Sequence, residues 1–423
     1  MKKIIALLVS VISILLIFSG CETKTETKQG RVYFLNFKPE QDTAWQKLAK
    51  KYTDETGIEV KVVTAASGTY EQTLIAEIDK DDPPTLFQVN GAVGLESWKD
   101  YCLDLTDSDI VKELVSDEFA LKSDGKIYAV AYVYEAYGLI TNKKLLEKAG
   151  YKIEDITSFE KLKSVAEDIT KRKSELGFSA FTSSGLGSAS SWRFSGHLAN
   201  LPLYYEFDDR DIEGQPATLK GTYLNNFKRV WDLYINNSTI EKNTITADQN
   251  DAAAEFKAGK AVFYQNGTWE YDSIKSIGEE NIGFLPIYFG VDDEEQGLCS
   301  GTENYWAVNS EASKADINAT LDFVKWVATS DAGTKALSED MGFVSPFKKA
   351  KDVNNTLSKI MTEYTEEDYE SITWKFSVTP NVDVWRSDLV DALAAYTAGK
   401  GDWKAVEKAF TEGWKEQYKA SKR

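Results

Sequence analysis

Three stretches set an aromatic ring beside polar groups on a turn. Gln265-Asn266-Gly267-Thr268-Trp269 follows an apolar run, Trp192 and Arg193 follow a serine-rich loop over residues 183–191, and Trp385 follows Pro380-Asn381-Val382-Asp383-Val384 ahead of a helical pattern. An indole face covers the C–H side of a sugar ring, and amides or carboxylates bind pairs of hydroxyls, so this chemistry suits a neutral polyol. Asn266 and Trp269 fall where a strand passes into a helix, the end at which open α/β sheets bind ligands. Trp45, Trp231, Trp326 and Trp414 each lie within a helical pattern and are expected in the core. Trp269 and Trp385 are expected to bind, because loop aromatics beside polar turn residues seldom serve packing alone. Glu135, flanked by Tyr132, Tyr134 and Tyr137, adds a hydroxyl acceptor.

Much other chemistry is missing. The 423 residues include one histidine, His197, which removes most of the common enzymology, since triads and most zinc and iron sites use imidazole. There is no Gly-x-Gly-x-x-Gly after a strand, no Walker loop, no His-Glu-x-x-His, no Cys-x-x-Cys and no Gly-x-Ser-x-Gly. Asp292, Glu294, Gln296, Gly297 and Glu303 occupy calcium-loop positions, but Glu and Gln replace the usual ligands and no amphipathic helix precedes them. That segment is expected to be an acidic surface loop. Neither a metal nor a cofactor is expected. Three cysteines make no disulfide framework, and Cys102 and Cys299 are read as free, partly buried thiols. With 49 Lys and Arg against 67 Asp and Glu, the net charge of -18 repels nucleic acid and phosphorylated ligands.

These residues must be positioned by an α/β framework. Apolar runs at residues 31–37, 58–63 and 86–89 read as strands, separated by helical patterns over 45–57 and 70–78, which makes a βαβαβ unit with a largely parallel sheet. Further strands are expected at 128–131, 137–141, 177–181 and 261–264. Thr157 and Glu160 form a capping-box pattern before a helix with Phe159, Leu162, Val165, Ala166 and Ile169 on one face. Helices at 223–234, 317–328, 389–396 and 403–418 complete an architecture with at least two sheets. At the N-terminus, Lys2 and Lys3 precede an apolar run over residues 4–18, then Ser19, Gly20 and Cys21, a pattern of a secretory signal. This fifteen-residue run, at about 1.5 Å per residue, falls short of a roughly 30 Å hydrocarbon core. Phe18-Ser19-Gly20-Cys21 resembles a lipobox, which implies lipidation of Cys21 and a flexible tether over residues 21–30.

The 265–269 motif, residues 128–150 with Ile140-Thr141-Asn142-Lys143-Lys144-Leu145-Leu146, and Trp385 ahead of Leu389-Val390-Asp391-Ala392 resemble the sugar-binding lipoproteins of bacterial ABC importers, the maltose-binding-protein-like family. The resemblance spans about residue 31 to 418. It implies a two-lobed periplasmic-binding-protein-like fold of type II, with lobe 1 from 31–131 plus 297–347, lobe 2 from 132–296 plus 348–423, and a ligand cleft between them. By the same resemblance Glu135 and Trp269 contact sugar, Trp385 stacks on a ring, Gln41 and Asp42 in the loop 38–42 donate or accept, and Asn90 and Glu303 lie at further contact positions; Trp192, Arg193 and Asn266 complete the candidate set. The implied protein is a lipid-anchored, extracytoplasmic monomer that carries a neutral oligosaccharide to permease subunits, with no nucleic-acid partner and no catalysis. The competing reading is a secreted glycoside hydrolase, which needs two carboxylates about 5 to 10 Å apart.

Overall fold

The computed structural model describes residues 29–66, 68–187, 190–240, 242, 252–367 and 369–422. The leader and the tether as far as residue 28, Cys21 included, lie outside the described residues. The chain builds two α/β lobes, each around its own sheet.

The first sheet has the order β2 (Val60–Thr64), β1 (Val32–Asn36), β3 (Leu86–Asn90), β11 (Asn304–Val308), β5 (Lys126–Ala131) and β4 (Ala120–Ser123). Every residue of β1 is buried, as expected for a strand covered on both faces by helices. The helix Asp42–Thr56 covers one face with Trp45, Leu48, Ala49 and Tyr52. It stops at Gly57, whose φ of 75° lets its N–H close back onto the Thr53 carbonyl. The second sheet has the order β12 (Glu370–Thr373), β10 (Gln296–Gly301), β6 (Glu135–Asn142), β8 (Ala261–Gly267) and β7 (Ser179–Phe181), with β9 (Ile282–Leu285) also paired to β6. Phe159–Lys171 is a helix with the expected buried face, but its cap is Ser158. The Ser158 hydroxyl, not that of Thr157, accepts the Lys161 N–H at 3.3 Å.

Three passages of chain join the lobes side by side. Residues 132–134 run from β5 to β6, with the Tyr132 N–H on the Asn304 carbonyl and the Tyr134 N–H on the Val344 carbonyl. Residues 302–303 return from β10 to β11. Because β10 pairs with β6 and β12 in the second sheet, this return falls later than residue 297. The third passage follows Phe343, and it ends where the Asn355 amide donates to the Thr268 carbonyl at 2.9 Å.

Gln296 and Gly297 belong to β10, which corrects the surface-loop reading for that part of 292–303. The Gln296 amide is buried, donating to the Ile287 carbonyl at 2.9 Å and accepting from the Tyr205 hydroxyl at 3.2 Å. Asp293 accepts the N–H groups of Phe159 and Gly290. No group of three or more candidate ligands for a metal exists among the described residues. Cys102 and Cys299 are free and fully buried, in the cores of different lobes. No described helix is long and apolar enough to cross a membrane.

Candidate functional site

The cleft between the lobes is built around a buried ion pair. Asn36, the last residue of β1, ties the following loop with its amide on the Lys38 carbonyl at 2.8 Å and its side-chain oxygen on the Lys38 N–H at 3.1 Å. That tie aims the Lys38 ammonium at Glu135, the first residue of β6, with N–O distances of 2.9 and 3.0 Å. The Asn304 amide donates to the same carboxylate at 2.9 Å. Lys38 and Glu135 are only 4% and 3% exposed. Burial would lower the Lys38 pKa, but the carboxylates of Glu135, Glu40 and Glu303 outweigh it and hold the ammonium above its ordinary range. Burial pushes Glu135 upward against the pull of Lys38. Glu303, in the return passage, is pushed by burial up to about 7, against the pull of Arg386 and Lys38. Arg386 comes from the helix Val382–Thr397 and donates to the Ser195 hydroxyl at 3.3 Å. Burial holds its guanidinium below the usual range, with Asp383 and Glu303 opposing.

An aromatic chamber adjoins these charges. His197 lies flat on Tyr137, with centroids 4.1 Å apart and planes at 4°. Around it stand Trp192 at 5.0 Å, Trp269 at 5.4 Å, Phe376 at 5.4 Å and Trp374 at 6.1 Å. Burial, reinforced by Arg386 and Arg193, holds the imidazole well below its ordinary pKa, so His197 is neutral. Trp269 folds back over Gly267, where a Cβ would lie 2.2 Å from the ring. The Lys38 ammonium stands 5.9 Å from the same indole. Trp374 presses on Gly301, where a Cβ would lie 2.9 Å from it. The indole N–H of Trp374, the Thr268 hydroxyl, the side-chain amide oxygen Oε1 of Gln265 and the side-chain amide oxygen Oδ1 of Asn304 are buried without a hydrogen-bond partner.

Of the residues expected from sequence, Glu135, Trp192, Trp269 and Glu303 come together at this chamber. Gln41 lies close by, buried, with its amide on the Met341 carbonyl at 3.3 Å. Asp42 instead starts the helix that follows and accepts the Thr64 hydroxyl at 2.6 Å. Asn90 pairs in register with Asn304, and its oxygen accepts the Gln88 amide at 2.7 Å. Two candidates are structural clamps. The Arg193 guanidinium is buried on the Gln265 and Ser183 carbonyls at 3.2 and 3.3 Å. The Asn266 amide donates to the Tyr264 hydroxyl at 2.6 Å and to Glu270 at 3.0 Å. Trp385 is the clear correction. It is 0% exposed, packed on Phe410 and Trp414, with its N–H on the Phe410 carbonyl at 3.0 Å, so neither ring face is open to a ligand.

The sequence reading did not identify Lys38, His197, Trp374 or Arg386 as site residues. Lys38 was within reach, since it begins the loop already singled out. Trp374 carries no local signal, because it reaches the chamber from β12 at the far edge of the second sheet.

Beside Trp269 a cavity of about 350 Å³ lies between Gln41 and residues 339–342 of the first lobe and residues 268–279 of the second. Solved structures share this two-lobed arrangement. RafE with raffinose superposes with a TM-score of 0.71 at 18% identity, covering 92% of this chain and 99% of that one. T. maritima MalE3 with maltose gives 0.70 at 17%, covering 91% and 99%, and a Bacillus licheniformis sugar transporter with stachyose gives 0.66 at 18%, covering 91% and 100%. At these identities the likeness establishes the fold. The sequence itself matches a family model described as bacterial extracellular solute-binding protein over residues 47–367. With most of the chain inside that match and both lobes in place around one cleft, the protein belongs to the bacterial extracellular solute-binding protein family.

Proposed function

We propose that the protein captures a neutral oligosaccharide in the interlobe cleft and delivers it, unaltered, to the permease of a membrane ABC importer. The observation that carries this reading is the chamber of Trp192, Trp269, Trp374 and Phe376 around a neutral His197, edged by buried polar atoms that lack partners. Ring faces suit the C–H surfaces of a sugar, and the orphaned N–H and oxygen groups suit its hydroxyls. The cations of the cleft already have carboxyl partners within the protein, Glu135 and Glu40 for Lys38 and Asp383 and Glu303 for Arg386, so neither calls for an anionic ligand. The fold neighbours with raffinose, maltose and stachyose add support.

Two carboxylates in one cleft also fit the hydrolase reading, and Glu303 near 7 has the protonation of a general acid. Against it, both oxygens of Glu135 accept the Lys38 ammonium and one also accepts the Asn304 amide, so this carboxylate is held as an ion-pair partner. Calorimetry against neutral oligosaccharides, followed by chromatography of the recovered sugar, tests both readings. Saturable binding with intact sugar is expected; cleavage overturns the transport reading. We read the chain as lipid-anchored through Cys21, extracytoplasmic and monomeric, and Cys21→Ser is expected to move it from the membrane to the soluble fraction of cells.

A further inference from the structure

Beside the chamber the two lobes meet at a stiff point of contact. Segment 374–377 of the second lobe carries Trp374 and Phe376 to His197, and Asn200, itself fully buried, holds that segment in place. The Asn200 amide donates to the Thr373 carbonyl at 3.1 Å, and its oxygen accepts the N–H groups of Lys375 and Phe376 at 2.6 and 3.0 Å. At the far end the Gln215 amide donates to the Val378 carbonyl at 2.8 Å. The outer corner is Ser377, whose hydroxyl donates to the Trp374 carbonyl at 2.8 Å. Facing it from the first lobe is Gly91, which opens the helix Gly91–Trp98 with a left-handed φ of 62°. A Cβ on Gly91 would lie 3.2 Å from the Ser377 Cβ and 3.7 Å from the Ser377 carbonyl oxygen, so the backbone of one lobe seats directly on the other. The charges next to this seat repel. Glu71 of the first lobe accepts the Trp98 indole N–H at 2.8 Å, and burial pushes its carboxyl above the ordinary range, with Asp383 of the second lobe pushing the same way.

We propose that Gly91 and Ser377 form the stop against which the lobes close, and that the repulsion between Glu71 and Asp383 beside it acts to part them again. A stop made of backbone and a tied side chain does not compress, so its thickness sets the angle at which the first lobe meets Trp374 and Phe376. Glycine suits it twice, since it adopts a φ of 62° without strain and adds no Cβ to the seat. The repulsion works on the same motion with the opposite sign, because it grows as the two carboxylates approach. Apparent affinity scales with the closed fraction, so these four positioning residues tune capture and release through the placement of the lobes and not through contact with the ligand.

The inference rests on the sugar reading for its ligand, so the test begins with an array of neutral oligosaccharides. Silence across the array overturns the sugar reading, and this inference falls with it. With a sugar that binds, titration calorimetry and stopped-flow release compare the wild type with Ser377→Leu and Glu71→Gln, small-angle scattering follows the lobes at saturating sugar, and thermal unfolding checks the fold. The larger side chain in Ser377→Leu thickens the stop. A roughly tenfold loss of affinity, carried by faster release, is expected together with a larger radius of gyration at saturation. Ser377→Val is run alongside with an expected loss of roughly threefold, and it carries the test if the leucine variant fails to fold. Wild-type affinity overturns the stop, as does a loss at wild-type radius of gyration, which would mean that only Trp374 had shifted. Glu71→Gln keeps an acceptor for the Trp98 N–H and removes the charge, so sugar is expected to bind roughly threefold tighter and to leave more slowly. Unchanged or weaker binding by that variant overturns the repulsion while leaving sugar binding intact.

Discussion

Trp269 and Trp385 carry the same side chain and lead to opposite expectations. Trp269 is half-buried at the cleft; a sugar covering on the order of 100 Å² of its indole, at about 25 cal/mol per Å², is held by roughly 2.5 kcal/mol. Trp269→Ala is therefore expected to weaken oligosaccharide affinity by roughly 30- to 100-fold with little change in melting temperature. Trp385→Ala removes a fully buried ring and is expected to cost about 3–5 kcal/mol of stability without touching affinity, as thermal unfolding and calorimetry together would reveal. Lys38→Met strands the Glu135 carboxylate in the interior, and a loss of about 3–5 kcal/mol is expected in denaturant titration. Adding Glu135→Gln should recover much of it. Glu303 has a pH signature. Its carboxyl is raised to about 7 in the folded state from an ordinary 4.5, so the folded protein binds the proton more tightly and its stability increases as pH falls from above 7 toward 4.5. His197, depressed by burial, works the other way below about 6.5, where the unfolded imidazole takes up the proton first. Comparing wild type with Glu303→Gln isolates the first contribution. Between pH 8 and 5.5 the wild type should gain melting temperature relative to the variant, and parallel curves would refute the assignment.

At the scale of elements, the end of β8 places the chamber's half-buried indole by steric means. Gly267 has an extended φ of -123° that any residue adopts, so Gly267→Ala strains no backbone and only pushes the Trp269 ring away. An affinity loss of roughly tenfold or more, with a blue- or red-shifted tryptophan emission and a melting temperature within a few degrees of wild type, is the expected outcome. Elements with strong local patterns were legible in sequence. The unit β1 to β3 announced itself through apolar runs divided by amphipathic helices, and the face of Phe159–Lys171 was read residue for residue. β10 and β12 were not legible, because Gln296–Gly301 has no alternation and its partners lie more than a hundred residues upstream or some seventy downstream. Trp385 was misassigned because proximity to the turn at Asn381 outweighed the helical spacing it shares with Leu389 and Leu393. The chamber draws on residues 137, 192, 197, 269, 374 and 376, and no spacing along a chain encodes that convergence.

At the scale of the whole molecule, β11 is inserted between β3 and β5 of the first sheet, antiparallel to both. Every other strand of that sheet lies within residues 32–131, yet its centre stays vacant until residues 304–308 arrive. A fragment ending at residue 290 is expected to bind a hydrophobic dye and to unfold without a cooperative transition. A cooperative, dye-silent fragment would contradict that dependence. The geometry also has a temporal side. Strand pairing across so many residues is slow, because the intervening loop must lose its entropy before the pairing returns anything. Order of synthesis and order of folding are thus uncoupled: the first lobe to be made is obliged to wait for the second, and the chain stays pliable for most of its own production.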